Sequence, residues 1–193
     1  MMFDIFRNYL TSKIFLTEEE LKMIETVSVF KKLRKRQYLL QEGDVWKMNA
    51  FVCQGCMRTY RVDDKGAEHI LNFAVENWWT GDRESLMTGN PAKSNIDALE
   101  DSVILLIEKE RLENLSVQIP ALNNFLNNIL QKSFNVSQNR IIANISYTAE
   151  EKYLNFIETR PEIANRVPQH MIASYLGISP ETLSRVRNQM AKK

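Results

Sequence analysis

Val167-Pro168-Gln169-His170-Met171-Ile172-Ala173-Ser174-Tyr175-Leu176-Gly177-Ile178-Ser179-Pro180-Glu181-Thr182-Leu183-Ser184-Arg185-Val186-Arg187 reads as two short helices joined by a tight turn. Gln169 to Leu176 is the first helical run. Ile172, Ala173 and Leu176 give it one narrow apolar face, and Ala173 is small where two helices must approach closely. Gly177 ends it cheaply, because glycine adopts φ > 0 without a Cβ clash. Ser179 is a good N-cap, and Pro180 at the first helical position loses no needed N–H. Ile178, Leu183 and Val186 then turn inward, while Glu181, Thr182, Ser184, Arg185 and Arg187 point outward. This spacing puts a polar recognition helix, 180–190, where a major groove can receive it. A plain helical hairpin with a solvated polar face is the competing reading. Charge weighs against it. Residues 160–193 hold six Lys or Arg and two acids, +4, in a chain of net charge +1, which leaves −3 for residues 1–159. A basic module on a mildly acidic body is the footprint of a phosphate-backbone binder.

The remaining composition excludes several classes. A chain of 193 residues holds one large domain or two small ones. Its 44% hydrophobic and 25% charged residues are those of an ordinary globular protein. No apolar run approaches the roughly 18–20 residues that span a bilayer. The N-terminus has an early acid, Asp4, and no signal-peptide layout, so a cytoplasmic protein with no membrane partner is expected. Cys53 and Cys56 form the one Cys-x-x-Cys. A zinc site would need a second ligand pair, and His69 and His170 have no partner at ligand spacing. A redox pair usually sits at a helix N-terminus, whereas these lie in the strand-like run Ala50 to Met57. Burial as small apolar residues is the expected role, with a redox sensor left open. No motif calls for a metal, a cofactor or a catalytic residue.

Residues 3–26 carry helical spacing, with Phe3, Phe6, Tyr9 and Leu10 on one face and Leu21, Ile24 and Val27 on another. Thr17-Glu18-Glu19-Glu20 looks like a helix cap. From about Phe30 to Ile107 short runs rich in β-branched and aromatic residues alternate with turn signals such as Glu42-Gly43-Asp44 and Asp63-Asp64-Lys65-Gly66. His69 to Val75 alternates, with Leu71, Phe73 and Val75 on one side. Strands at intervals of roughly 8–12 residues suggest a sandwich or jelly roll. The helical period then returns. Leu115, Leu122, Ile129, Val136 and Ala143 are apolar at every seventh position, with Pro120 in the first turn of a helix of about 25 residues. Part of this seam is expected to pack on the roll and the rest to meet a second subunit. A further helix spans Ala149 to Thr159. The expected units are 1–110 (helices and β-roll), 111–147 (long dimerisation helix) and 148–193 (helix-turn-helix), an α+β fold.

In this order the parts resemble the Crp/Fnr family of bacterial transcription regulators. The resemblance covers essentially the whole chain. It rests on Gln41-Glu42-Gly43-Asp44 in an early roll turn, Val52-Cys53-Gln54-Gly55 at a strand end, Gly81-Asp82, and Gly177-Ile178-Ser179-Pro180-Glu181-Thr182-Leu183-Ser184-Arg185. The last is the specific one. It implies a cyclic-nucleotide-binding-like roll, a dimerisation helix and a winged-helix-like module, with the wing absent or minimal. The family reads bases with Arg-Glu-x-x-x-Arg; here Glu181 and Arg185 match and Pro180 replaces the first Arg. Arg185 would donate to guanine and Glu181 would accept from cytosine. Ser179, Thr182, Gln169 and His170 would touch phosphates, with Arg187 and the terminal Lys192 and Lys193 adding contacts, and Ser184 lies on the same surface.

Members that bind cyclic AMP use Gly-Glu and, about ten residues on, Arg-Ser/Thr. The matching residues are Gly81, Asp82, Lys93 and Ser94. Asp82 is one methylene short, and Lys93 loses the guanidinium fork. The resemblance therefore implies an effector other than cyclic AMP, another small molecule, or a loop kept for structure. Trp78 and Trp79 are placed either to line such a pocket or to join the core. An iron–sulfur member would need an N-terminal cysteine cluster, and the first cysteine is Cys53; a haem member would need a supported axial ligand, which neither histidine offers. Implied partners are double-stranded DNA, a second copy of the chain, RNA polymerase and an unknown effector. Two rivals stand beside this reading. One is a small-ligand or cyclic-nucleotide module whose helix-turn-helix contacts protein. The other is an enzyme on a cupin-like roll, which would need clustered metal ligands where only His69 lies.

Overall fold

The computed structural model describes residues 2–191. Two helices, α1 (Phe3–Thr11) and α2 (Glu18–Thr26), come first. The expected cap of α2 is a full capping box: Thr17 accepts from the Glu20 N–H while the Glu20 carboxylate accepts from the Thr17 N–H. Eight strands and one short helix follow: β1 (Val29–Leu33), β2 (Tyr38–Leu40), β3 (Met48–Gln54), β4 (Met57–Val62), β5 (Glu68–Ala74), β6 (Trp79–Thr80), α3 (Arg83–Thr88), β7 (Asn95–Ala98) and β8 (Ser102–Glu108). They form two antiparallel sheets ordered β1-β8-β3-β6 and β2-β7-β4-β5. The chain continues as α4 (Lys109–Gln118), α5 (Pro120–Ser146), α6 (Ala149–Thr159), α7 (Pro161–Ala164), α8 (Gln169–Leu176) and α9 (Pro180–Met190). Among the described residues no strand follows β8, so the C-terminal module is a helix-turn-helix without a wing there.

Strand alternation distributes apolar side chains to different cores. Ala50 and Val52 of β3 and Ile104 of β8 point between the sheets, with Trp46, Met57 and Ile96. Phe51 and Cys53 of β3 and Leu105 and Ile107 of β8 point the other way, against α1, α2, α4 and the start of α5. This sheet is covered on both faces, which is why its strands read as nearly continuous apolar runs. A third core joins Tyr60, Ile70, Phe73 and Val75 of the roll to Phe156, Ile172, Tyr175 and Leu176 of the C-terminal module.

In β5 the expected alternation breaks. Pairing with β4 steps from Thr59–Asn72 to Tyr60–Ile70 and leaves Leu71 unpaired as a bulge. Ile70 and Phe73 are buried and Leu71 only half-buried.

The helix of about 25 residues expected from Pro120 is α5, of 27 residues, but the unit expected over 111–147 is not a single helix, because most of α4 falls within it. Ile119 adopts φ −122°, ψ 90° between α4 and α5, because the residue before a proline is driven out of the helical region. The expected boundary at 111 therefore falls inside α4. The seven-residue seam is also corrected. Leu115 and Leu122 are buried in the chain's own core, and Ile129 packs against it. Val136 and Ala143 face a cleft beside the C-terminal module. Leu115, Leu122 and Ile129 thus turn toward their own protomer, whereas Val136 is 49% exposed. The exposed large apolar residues of α5 are Leu130, Phe134, Val136, Ile141, Ile142 and Ile145. At about 100° per residue, Leu130, Phe134, Ile141 and Ile145 form one stripe that lies roughly a quarter-turn or more around the helix from the seam.

Replacing Leu122 by Ala should therefore lower the stability of the protomer by about 2–5 kcal/mol, the cost of a cavity in a packed core. Denaturant unfolding checks this; a loss confined to subunit association, with protomer stability kept, would return Leu122 to an interface.

Candidate nucleic-acid interface

The two C-terminal helices have the bounds their sequence signals set. Gly177 closes α8 in the left-handed conformation at φ 65°, and Ser179 caps α9 by accepting from the Thr182 N–H at 3.1 Å. Leu183 and Val186 are buried and fix α9 against the module. The opposite stripe, Glu181, Ser184, Arg185 and Asn188, is exposed along nearly two turns. The side chain of Glu181 stays ionised at neutral pH. Its own backbone N–H first, then the Ser179 hydroxyl and the Arg185 charge, hold its pKa below the ordinary carboxylate value. An acceptor and a cationic fork thus sit one turn apart on a free helical surface.

The other expected contact residues divide. His170, Ser179 and Arg187 are exposed beside the stripe, and Thr182 is half-buried with its hydroxyl 3.0 Å from that of Ser179. Gln169 turns its Oε1 inward, buried and without a partner among the described residues. Lys192 and Lys193 lie outside the described residues. Asn188 was not anticipated; its signal was the seven-residue spacing from Glu181, and an amide there suits an adenine edge. The charge argument also changes. Arg166 does not face outward: it pairs with Glu76 at 2.7 Å and also with Glu100. Arg160, between α6 and α7, is buried. Within the described residues the reading surface owes its positive charge to Arg185 and Arg187.

The module is seated on the roll. The Ser174 hydroxyl of α8 accepts from the Ile70 N–H at 3.0 Å and donates to the Glu68 carbonyl at 3.2 Å, closing part of the open edge of β5. Arg140 of α5 donates to the carbonyls of Leu71, Ile70 and Tyr175. Burial would raise the Glu76 carboxyl, but Arg166 and the Gly55 N–H, at 2.7 Å, outweigh it and leave its pKa lowered.

The loop matching the cyclic-nucleotide cassette is closed on itself. Asp82, 8% exposed, caps α3 by accepting from the Ser85 N–H at 3.0 Å and accepts from the Ser94 hydroxyl at 2.6 Å. Burial alone would raise this carboxyl; the hydrogen bonds overcome it and its pKa is lowered. Lys93 points outward to Glu84 at 2.5 Å. Gly81 has φ 149°, and a Cβ there would meet the Trp46 indole nitrogen at 2.7 Å. Gly81, Asp82, Lys93 and Ser94 are thus brought together as the sequence places them, but the acceptor and the hydroxyl needed for a cyclic nucleotide are engaged with each other. These residues do not fit that ligand. Trp79 joins the helix-covered core, whereas Trp78 packs between roll and module. Cys53 and Cys56 enter different cores, and burial pushes their thiols up to about 11 and about 12. His69 pairs with Asp63 at 2.8 Å in the β4–β5 turn.

Residues 30–118 match the cyclic nucleotide-binding domain family. Along most of its length the chain is similar to named regulators. It is 31% identical to the transcriptional activator protein FnrA of Stutzerimonas stutzeri, over 80% of this chain and 67% of that protein. It is 27% identical to the transcriptional activator protein Anr of Pseudomonas protegens, over 84% of this chain and 70% of that protein. Among solved structures, FixK2 of Bradyrhizobium japonicum shares the fold at a TM-score of 0.74 and 19% identity, covering 86% of this chain and 85% of that one. The catabolite activator protein of Thermus thermophilus shares it at a TM-score of 0.59 and 20% identity, over 95% and 87%.

If Asp82 holds its own loop, Asp82→Ala should cost about 1–3 kcal/mol, from a lost helix cap and an unpaired buried hydroxyl. Ser94→Ala added to it should cost less than Ser94→Ala alone. Additive losses in thermal unfolding would show that the two side chains do not act as a pair.

Proposed function

The chain belongs to the Crp/Fnr family of transcription regulators, and on that premise we propose that it is a homodimeric regulator that reads a pseudo-palindromic DNA site through α9. The observation that supports this best is the free stripe Glu181-Ser184-Arg185-Asn188 on a helix whose other side is buried and whose start is capped. Arg185 donates to a guanine edge, Glu181 accepts from a cytosine amino group, and Asn188 extends the reading face. Ser179, Thr182, His170 and Arg187 set register on phosphates. With Pro180 where the family carries an arginine, one base contact is missing, so the operator differs from the usual one. The named relatives are transcriptional activators rather than enzymes, which makes RNA polymerase the further partner under this reading. Among the described residues no helix is long and apolar enough to cross a membrane, and under this reading the site of action is the cytoplasm, where the DNA is.

The second copy packs on the uncovered face of α5. Phe134 is 61% and Ile145 82% exposed, in line with Leu130 and Ile141. Large apolar residues repeated on one helical stripe are what a paired helix buries. Two recognition helices then reach successive major grooves about 34 Å apart. The cassette serves as a structural loop of the roll, and cyclic AMP is not the effector.

Selection of bound duplexes from a random DNA pool tests the reading. A palindromic consensus is expected, the same with and without cyclic AMP. A consensus appearing only with cyclic AMP would overturn the assignment of the cassette; none in either condition would favour a module that contacts protein. Arg185→Ala should cost about 1–3 kcal/mol in DNA affinity and relax one position of each half-site, and an unchanged consensus removes Arg185 from the reading set. Ile145→Glu should move the protein from dimer to monomer in sedimentation, because it places a charge where an apolar stripe must close. A dimer that persists unchanged puts the interface elsewhere.

A further inference from the structure

The strongest unexplained feature is a cleft of about 500 Å³ at the junction of α5, α6 and α8. One wall is the α5 stripe Val136, Asn139, Arg140 and Ala143; the other is the α6 stripe Lys152, Asn155, Phe156 and Thr159, continued by Arg160. Trp78 and Tyr175 line it as well. The volume is that of a site for a small organic molecule.

Its electrostatics are one-sided. Arg58 and Arg166 each pair with two carboxylates. Arg140 and Arg160 pair with none among the described residues. Arg160 is only 9% exposed, and its buried Nη1 has no hydrogen-bond partner among the described residues. The guanidinium lies 4.8 Å from the centre of the Trp78 ring and 5.6 Å from that of Tyr175. Arg140 lies 4.0 Å from the centre of the same Tyr175 ring. Burial first, and then the charge of Arg160, press the Arg140 guanidinium below its ordinary pKa. Aromatic faces attract cations but do not neutralise them. A buried guanidinium without a counter-charge is costly to keep, and an oxyanion is the group whose geometry fits its fork.

We infer that this cleft is a binding site for a small organic oxyanion, a carboxylate or phosphate monoester carried on a flat apolar body. Arg160, which lines the cleft, anchors the oxyanion through its guanidinium. Arg140 and Lys152 add positive potential. Phe156, Trp78 and Tyr175 receive the apolar body, and Asn139 and Asn155 supply polar edges at the rim. The site is separate from the cassette around Asp82, and its existence does not depend on the DNA-reading role of α9.

Titration calorimetry on the full chain, with benzoate, phenyl phosphate and inorganic phosphate as probes, tests this. At least one of the two aromatic anions should bind saturably, one per protomer, and more tightly than inorganic phosphate. Which of them binds tighter distinguishes a carboxylate from a phosphate ligand. Arg160→Gln should weaken that probe at least tenfold, with the fold checked by circular dichroism. Arg160 is buried, so its loss could disturb the module; Asn155→Asp provides the second variant, because Asn155 is exposed and a carboxylate there repels an anion without altering the core. It should weaken the same probe several-fold. No saturable binding of either aromatic anion overturns the proposal, as does affinity unchanged in both variants. Inorganic phosphate binding as tightly as phenyl phosphate overturns the organic part of it.

Discussion

Arg140 ties the three parts of the chain together at one point. It extends from the long helix to two carbonyls of β5 and one of α8. The Leu71 carbonyl belongs to a residue that the β-bulge removes from the ladder, so it needs an acceptor role elsewhere. The Tyr175 carbonyl lies in the last turn of α8, where intrahelical donors run out. One guanidinium therefore satisfies groups that roll and module each leave open. With Ser174 on the same free edge of that strand, it covers an edge that would otherwise be a site for strand addition. The placement of α8 follows from this seat, and the placement of α9 follows from α8 through the turn at Gly177.

Polar groups set the register of that seat more than its strength. The pairs between Arg166 and Glu76 or Glu100 are part-exposed, and ion pairs open to solvent contribute about 0–1 kcal/mol each. The apolar contact between Ile70, Phe73 and Val75 of the roll and Phe156, Tyr175 and Leu176 of the module is continuous, and each such side chain buried contributes about 1.5–3 kcal/mol. Apolar contact is non-directional and would tolerate sliding. The bonds from Arg140, Ser174 and Arg166 would not, because each has a specific acceptor. Adhesion and alignment are thus divided between two kinds of interaction.

What the sequence revealed follows the range of the forces involved. Helix ends depend on neighbours in the chain, so Ala149–Thr159, Gln169–Leu176 and Pro180–Met190 could be read from caps, Gly177 and Pro180. The closed cassette was foreshadowed by Asp82, since a shortened acid and a lysine do not make the expected ligand contacts. Two signals failed for a shared reason. A seven-residue seam shows that a helix has an apolar stripe but not what covers it. Here the seam packs on the chain's own core at Leu115, Leu122 and Ile129, whereas Val136 is exposed. Counting charges likewise shows that the C-terminal region is basic but not where the cations point. Arg166 serves the seat and Arg160 is buried, so the net charge of the segment overstated the positive surface offered to DNA. Bulging at Leu71 had no signal in the alternation of β5, because a bulge is a property of pairing.

These two misread arginines also bear on how such a protein could be regulated. A ligand shifts a conformational equilibrium only by binding one arrangement better than another. In the seated arrangement the acceptors of Arg140 come from β5 and α8, and the carboxylates of Arg166 come from the roll. Any arrangement that lifts the module must leave these groups unpaired or give them to water. Arg160 stands differently, because it has no such partner to lose. Its neighbours Trp78, on the roll, and Tyr175, on α8, meet only while the module is seated. A group that neutralised Arg160 between those rings would therefore favour the seated form, whereas one that competed for Glu76 or Glu100 would release it. Opposite responses would then come from two points on one interface, and the loop around Asp82, closed by its own hydrogen bonds, need not take part in either.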